Sequence, residues 1–531
     1  MSFSNPLFTR RHLPLFLAAL LSLVTSAQPA PALEWESTFG GLLADGVLRM
    51  ALCSDGSYIM LGQTTSTNGI AAGNHGGYDL LVVKVDATGT LAWSRCLGGT
   101  ENEFPGDIKQ TSDGGFIIAA SSNSNDGDVS GNLGDFDLWM VKLDGGGEIL
   151  WQRCLGGLDL DGSPYTVEQL DDGGYYVAAS SRSNDGDALG SHGSSDYWVL
   201  RLDAAGAPVW TRMLGGSGYD ACLGLRSTPD GGCIVTGETG SSDGDVTMNH
   251  GESDTWVAKL DAAGTLEWQR SYGGSGTEMG WAICLTPSGG YALAGSSSSN
   301  DGDVSTNHGA DDFWLAELDP DGEIIWESSY GGSGIEMAFC IQPTADNGFV
   351  AIGGTSSMDG QVTGYHGGDR DVWAIKVDHT GALVWQSTFG GSAWDQATDI
   401  HATPDGGYIF AGGTTSSDGD VSVQHGQGDA WVVKLGPDYT GLAEHGPVSD
   451  LSLVPNPSTG HVAFNCTLLE GGQVDLAVLN SQGQQVLPVF HGHASPGLQQ
   501  WHFDLQDLAP GVYLLRFVSA GQTLTRRLVR Q

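Results

Sequence analysis

Seven tryptophans divide most of this chain into equal lengths, and that period limits the possible folds more than any other feature. Trp35, Trp93, Trp151, Trp210, Trp268, Trp326 and Trp385 follow one another at intervals of 58 or 59 residues. Each sits in a phrase like Leu-x-Trp-x-x-x-(Phe/Leu/Tyr)-Gly-Gly. A second series runs Leu81, Trp139, Trp198, Trp256, Trp314, Trp373 and Trp431. A third is the turn Asp113-Gly114-Gly115, repeated at Asp172, Asp230 and Asp405. Its weaker copies are Asp55-Gly56-Ser57, Ser288-Gly289-Gly290 and Asp346-Asn347-Gly348. A fixed period of this length marks copies of one supersecondary unit that bury their faces against each other.

The unit is built of strands. With 82 Gly among 531 residues, roughly twice the usual share, the chain needs many tight turns and suits helices poorly. Its 16 Trp and 40% hydrophobic residues exclude a disordered acidic polymer. Thr255–Leu260 alternates apolar and less apolar residues, Asp261-Ala262-Ala263-Gly264 turns, and Leu266–Arg270 alternates again. A second hairpin pivots on Pro229-Asp230-Gly231-Gly232, where Pro presets one backbone angle and Asp and Gly tolerate the rest. Four strands per unit and seven units predict an all-β, seven-bladed β-propeller over residues 28–436. A β-solenoid is the rival, but its rungs are much shorter than this period. The chain enters at Leu33-Glu34-Trp35-Glu36, a last strand, and leaves the repeats at Trp431–Leu435, a third strand. Residues 33–39 are therefore expected to complete the final blade and close the ring, which removes exposed edges.

Phrases such as Asp86-Ala87-Thr88-Gly89-Thr90-Leu91-Ala92-Trp93 resemble the tryptophan-docking repeats of bacterial quinoprotein propellers. The Asp-to-Gly spacing here is one residue shorter and the blade count differs. The resemblance implies tryptophan-mediated blade packing and carries no quinone site. Residues 33–436 as a whole resemble the Gly-Gly-Ser-Gly and Asp-Gly-Gly-Tyr repeats of secreted bacterial propellers without an assigned activity.

The two ends differ from the repeats. Arg10, Arg11 and His12 precede the apolar run Leu13–Val24, which ends in Thr25-Ser26-Ala27. This is the pattern of a secretory signal peptide, residues 1–27. The run is short for a membrane span, although a signal anchor is the alternative. No later stretch is long and apolar enough to cross a bilayer, so no transmembrane segment is expected after signal removal. With the signal removed, 19 bases face 63 acids, a net charge of −44. Such a surface repels nucleic acid and anionic membranes, which excludes both as partners.

Residues 437–449 read as a linker. Residues 450–531 hold 4 Arg, no Lys and 5 acids, and carry short alternating strands suited to a small β-sandwich. Three motifs follow in order: Leu453-Val454-Pro455-Asn456-Pro457-Ser458-Thr459-Gly460, Leu508-Ala509-Pro510-Gly511-Val512-Tyr513, and the basic end Arg526-Arg527-Leu528-Val529-Arg530. Together they resemble the type A C-terminal sorting domain of the type IX secretion system, with Arg where Lys is common near the end. The resemblance implies the secretion machinery as partner, passage through the outer membrane, and removal of the domain before release or surface attachment. An adhesive sandwich module is the alternative.

The chemistry of the propeller is less legible. Long second-to-third-strand loops recur as Asn125-Asp126-Gly127-Asp128, Asn184-Asp185-Gly186-Asp187, Ser242-Asp243-Gly244-Asp245, Asn300-Asp301-Gly302-Asp303 and Ser417-Asp418-Gly419-Asp420. Repeat six has Asp359-Gly360-Gln361 and repeat one Asn68-Gly69-Ile70. Carboxylates around a Gly suit Ca²⁺, but the spacing is not that of an EF-hand and tight loops use the same residues. Ca²⁺ and plain loop chemistry both remain open, and the metal ligands are unknown. A His follows most loops, at His75, His192, His250, His308, His366 and His425, with Leu133 the exception. Spread one per blade, these cannot converge as zinc ligands do. Hydrogen bonding inside the loop is the expected role.

No nucleophile elbow, His-Glu-x-x-His or phosphate loop occurs. No catalytic or cofactor-binding residue is assigned. Trp394, Arg370 and Lys109 are single departures from the repeat with no identifiable partner. Eight cysteines allow 105 pairings, and those on strands also fit as small buried apolar residues. The expected function is a non-enzymatic binding scaffold, monomeric, secreted or on the outer cell surface, taking a glycan or protein ligand. The alternatives are a secreted carbohydrate-active hydrolase or lyase with its site at the channel, and a structural surface-layer component.

Overall fold

The computed structural model describes residues 28–162, 166–438, 448–454, 458–468, 471–480, 484–519 and 522–530. Residues 1–27, expected as a signal peptide, most of residues 437–449, expected as a linker, and Pro455–Pro457 of the first sorting motif lie outside the described residues. Two compact units divide the chain, Met1–Pro437 and Asp438–Gln531.

In the first unit, seven four-stranded antiparallel sheets follow one another in sequence. Blade 1 comprises Asp45–Leu52, Tyr58–Thr64, Asp79–Val85 and Leu91–Leu97. Blade 7 takes Asp395–Ala402, Tyr408–Thr414 and Asp429–Leu435 from one end of the repeats and Leu33–Phe39 from the other. Thr38 pairs with Trp431 and Glu36 with Val433, while Trp431 Nε1 donates to Glu36 Oε2 at 3.0 Å. The expected seven-bladed ring, closed by the N-terminal strand, is the observed one.

Both tryptophan series have physical reasons. The third-strand Trp residues are fully buried between neighbouring sheets. In five blades the residue after the fourth-strand Trp accepts from the indole: Trp139 on Gln152, Trp256 on Gln269, Trp314 on Glu327, Trp373 on Gln386, and Trp431 on Glu36. In blade 1, Leu81 has no indole to satisfy and Ser94 stands at the acceptor position.

The fourth-strand Trp docks on the next blade. Trp326 meets Phe349 at 6.0 Å between ring centroids, and Trp93, Trp151 and Trp268 meet Phe116, Tyr175 and Tyr291 in the same way. Its ring also covers the Gly of the next blade's third-to-fourth turn, so the packing that the tryptophan-docking resemblance implied is present. That Gly is fixed twice over. Gly381 has φ +80°, and a Cβ there would stand 2.6 Å from Trp326 Cε3. Gly381→Ala is expected to cost about 1–3 kcal/mol, from backbone strain and overpacking together. Urea unfolding checks this; an unchanged midpoint contradicts it.

Third-strand cations cross to the Asp-Gly-Gly turns. Lys84, Lys142, Lys259, Lys376 and Lys434 reach Asp55, Asp113, Asp230, Asp346 and Asp405 at 2.8–3.1 Å, and Arg201 reaches Asp172. Hydrogen bonds from Ser57 hold the Asp55 carboxyl down at about 2, and one from Thr111 does the same for Asp113. Blade 5 lacks both partners: its turn begins with Ser288, and Glu317 replaces the cation and accepts from Trp326 Nε1 instead.

The second unit pairs a three-stranded sheet (Val448–Val454, His461–Leu468, Gly497–Asp504) with a four-stranded one (Gln485–Ala494, Gly472–Leu479, Gly511–Ser519, Gln522–Arg530). Val462, Phe464, Val474, Leu476, Leu515 and Phe517 fill the core of this small sandwich.

Candidate functional site

The long second-to-third-strand loops and the Gly-Gly connections between blades lie on one face and bind each other. Asp126, Asp243, Asp301, Asp359 and Asp418 each accept from the backbone N–H of the residue after the Gly-Gly pair, at 2.7–2.8 Å. The second acid reaches back further: Asp128, Asp245, Asp303 and Asp420 accept from the first Gly at 3.1–3.3 Å, and Gln361 does so at 3.0 Å. The intervening Gly must have a positive φ, as at Gly244 (φ +67°), where a Cβ would also meet Gly215 O at 2.4 Å. These loops therefore staple the connections. Among the described residues, no three His, Cys, Asp or Glu side chains converge as a metal site.

The histidines act within the loop, as expected. His75, His250 and His308 place Nδ1 2.6–2.7 Å from Asp79, Asp254 and Asp312 of their own blade. Leu133, the exception, keeps only the backbone N–H bond to Asp137, at 2.8 Å.

Those aspartates belong to a feature that the repeats concealed. The third strand of every blade begins with a fully buried Asp, from Asp79 to Asp429, and in all seven Oδ1 meets no donor. Six of the next blades open their first strand with a buried acid, Asp45, Glu103, Asp220, Glu278, Glu336 or Asp395, and in blade 3 the buried Asp161 precedes the first strand, Thr166–Gln169. At six junctions the two carboxylates converge on the first Gly of the connection. A Cβ on Gly215 would meet Asp196 Oδ1 at 2.3 Å and Asp220 Oδ2 at 2.6 Å. Burial raises the Asp79, Asp196, Asp312 and Asp395 carboxyls, and raises Asp137 and Asp371 to about 6. Those two values fall where general acids work, but all these side chains are sealed beneath the connections, away from any substrate. The Gly-Gly of the motif was legible; the acid a few residues after it was the unread signal.

The first strands line the axis, and here the seven-fold symmetry breaks. Lys109 pairs with Asp107 at 2.8 Å, Arg226 with Glu168 at 3.5 Å, and His401 with Asp399 at 3.4 Å, while Trp281 meets Phe339 at 5.1 Å. Asp399, facing His401, Lys109 and Arg49, is held well below the usual carboxylate range. The space left is a cavity of about 40 Å³. Paired charges thus line the axis around this small cavity, and Lys109 has a partner after all.

Beside the axis, on the long-loop face, blades 7 and 1 enclose a pocket of about 380 Å³. The residues here are smaller than their counterparts at the seam between blades 1 and 2. Between blades 1 and 2, Tyr78, Phe104 and Phe136 stack at 5.7 and 5.3 Å. The counterparts at the seam are Gly428, Gly46 and Tyr78 itself. Gly46 faces open space, and the Trp394 ring lies across Gly413, 3.2 Å from where a Cβ would stand. Trp394 is 37% exposed. Arg370 Nη1 donates to Gln396 Oε1 at 3.1 Å. Two of the unexplained departures in the sequence, Trp394 and Arg370, thereby meet at one place.

The cysteines form no disulfide among the described residues. Cys53, Cys222, Cys233, Cys284 and Cys340 are buried thiols, and burial raises each of them.

In the second unit, Tyr513 Oη donates to Ala509 O at 2.8 Å, which folds the Leu508–Tyr513 motif on itself, and Arg530 Nε donates to Leu505 O at 3.2 Å. Residues 452–531 match the family described as the secretion system C-terminal sorting domain. The chain ends in a sorting domain of that family. The sorting domain marks the protein as secreted, extracellular or attached to the cell surface, and implies handling by the type IX machinery. Among the described residues, no helix is long and apolar enough to cross a membrane.

The chain is also 28% identical over 214 residues to the regulatory protein FlaEY of Caulobacter vibrioides, covering 38% of this chain and 22% of that protein. It thus spans less than a quarter of that relative's length. Among solved structures, an α-L-arabinofuranosidase of Fusarium graminearum aligns at TM-score 0.37 and 10% identity, covering 75% of this chain and 98% of the enzyme. A puromycin hydrolase aligns at TM-score 0.35 and 14% identity, covering 74% and 59%. Likenesses at these TM-scores carry no weight for activity.

Proposed function

We propose that the protein is an exported, monomeric binding scaffold that holds an extracellular ligand on the long-loop face of its propeller without turning it over. One observation carries the reading: on a face otherwise built from repeated structural bonds, the blade 7–blade 1 seam alone among the sites described combines an open pocket with unrepeated side chains. Functional groups concentrate in loops held by a rigid scaffold. Two further features support binding over catalysis. The axis, where a hydrolase or lyase would hold its substrate, is lined by paired charges around a cavity of only about 40 Å³. The buried acids at the junctions are sealed and recur in every blade, whereas catalysis needs a unique reactive set.

In this reading residues 1–27 are removed on export, residues 28–436 are the working domain, and residues 450–531 are cleaved after outer-membrane passage. Intact mass of the secreted form is expected to correspond to a start near Gln28 and loss of most of residues 450–531; retention of the Arg526–Arg530 tail contradicts the cleavage. A glycan and protein array run beside a polysaccharide turnover screen tests the function. Saturable binding without product supports the proposal, and product formation overturns it in favour of the hydrolase or lyase.

A further inference from the structure

The seam pocket has a chemistry of its own, and a ligand assigned to it rests on the binding reading. Its polar groups are amides and hydroxyls. Arg370 can only donate, so its bond to Gln396 fixes Gln396 Oε1 toward the guanidinium and leaves both Nε2 donors over. Gln63 and Gln427, which also line the pocket, make no side-chain hydrogen bond among the described residues. The one carboxylate in the wall is spent: Asp45 accepts from Gly41 N, Thr64 Oγ1 and Ser66 Oγ. Among the described residues no cation lines the pocket itself and its one carboxylate is already satisfied, in a chain whose net charge of −42 disfavours anions.

Two aromatic residues complete the walls, Trp394 from blade 7 and Tyr78 from blade 1. An aromatic face receives the C–H surface of a flat ring, while side-chain amides both donate and accept, as sugar hydroxyls do. At about 380 Å³ the pocket sits at the small end of ligand sites, roughly 300–1,000 Å³. We infer that the seam between blades 7 and 1 is a binding site for a neutral mono- or disaccharide unit. The sugar ring lies against Trp394, and its hydroxyls are read by Gln63, Gln396 and Gln427. The first strands beside the pocket, Asp45–Leu52 and Asp395–Ala402, end their sheets, so a peptide adding a strand there is the competing outcome that the protein array reads.

The test is calorimetric titration of the full chain with neutral di- to tetrasaccharides of glucose, galactose, mannose, xylose and N-acetylglucosamine, with oligogalacturonate and sulfated oligosaccharides as charged counterparts. Gly46→Phe copies the aromatic that blade 2 carries at this position and projects into the pocket from a site where an added Cβ meets nothing within 4 Å. Trp394→Ala removes the wall while leaving space. Thermal melting shows that each variant is folded, and the second serves if the first is not. At least one neutral saccharide is expected to bind, with charged ones ignored, and affinity is expected to fall roughly tenfold or more in both folded variants. Equal binding by wild type and variants overturns the site while leaving the scaffold reading intact. No neutral saccharide bound at millimolar concentration overturns the ligand class, and the protein array then decides the scaffold reading separately.

Discussion

Deleting Leu33–Phe39 is expected to abolish the folded, soluble propeller. The strand supplies the outer edge of blade 7, and without it the Asp429–Leu435 strand presents an open row of N–H and C=O groups. Trp431 loses the acceptor Glu36 and Lys434 loses Glu34. Trp35 also leaves Tyr58, on which it docks at 6.3 Å, and uncovers Gly89 of blade 1. The loss falls on the one junction that holds the two ends of the repeats together, and is expected to rival the whole stability of a domain, about 5–15 kcal/mol. Trp35→Ala, which keeps the strand, should cost about 3 kcal/mol, the low end for a large aromatic because the residue is half buried. Size-exclusion chromatography and urea unfolding read both. A monomeric deletion variant with an unchanged midpoint would show that the ring does not depend on this closure.

Stability is expected to fall as pH rises from 5 to 8, opposite to the trend of most acidic salt-bridged proteins. A buried carboxyl with a raised pKa holds its proton more tightly folded than unfolded. Its contribution is present in full at acid pH and is lost as pH rises through the folded value. Burial raises Asp79, Glu103, Asp196, Asp312 and Asp395 in this way. For Asp137 and Asp371, a move from 3.8 to about 6 is worth on the order of 3 kcal/mol each over the whole window, of which roughly half is lost above pH 5. Burial is the main cause, and Asp137 and Asp161 converge on the same Gly156, so a proton on the otherwise unpartnered Asp137 Oδ1 also relieves the repulsion between the two carboxylates. The groups held low, such as Asp55 and Asp113 at about 2, act in the other sense but only at more acid pH. Asp137→Asn installs a permanent donor and should stabilise the protein at pH 8 while flattening part of the slope. Urea unfolding at pH 5, 6.5 and 8 decides; constant or rising stability contradicts protonation of these buried carboxyls.

The architecture was legible because its markers repeat. Trp35 to Trp385 and Leu81 to Trp431 each recur in every unit, and the surplus strand at Leu33 answered the missing one after Leu435. The chemistry of the junctions was present but camouflaged. Asp79 and Glu103 looked like ordinary polar punctuation at strand ends, and only three dimensions show one blade's third strand delivering its carboxylate to the next blade's first. The pocket was hidden for the opposite reason. Gly46 and Gly428 come from opposite ends of the repeats, and each looks like one more glycine among 82. Trp394 stood out as unrepeated, but nothing local says that its ring lies over Gly413 and faces blade 1. Repetition reveals a scaffold, whereas a site arises where repetition lapses in two distant units that closure brings together.

Hydrogen-exchange mass spectrometry on the full chain, with and without a saturating neutral oligosaccharide, locates the ligand without any substitution. Slowed exchange is expected in residues 44–48, 394–398 and 413–415, with the Asp-Gly-Gly turns of the opposite face unchanged. Protection on that opposite face, along the axis, or nowhere at saturation would contradict a binding site at the seam.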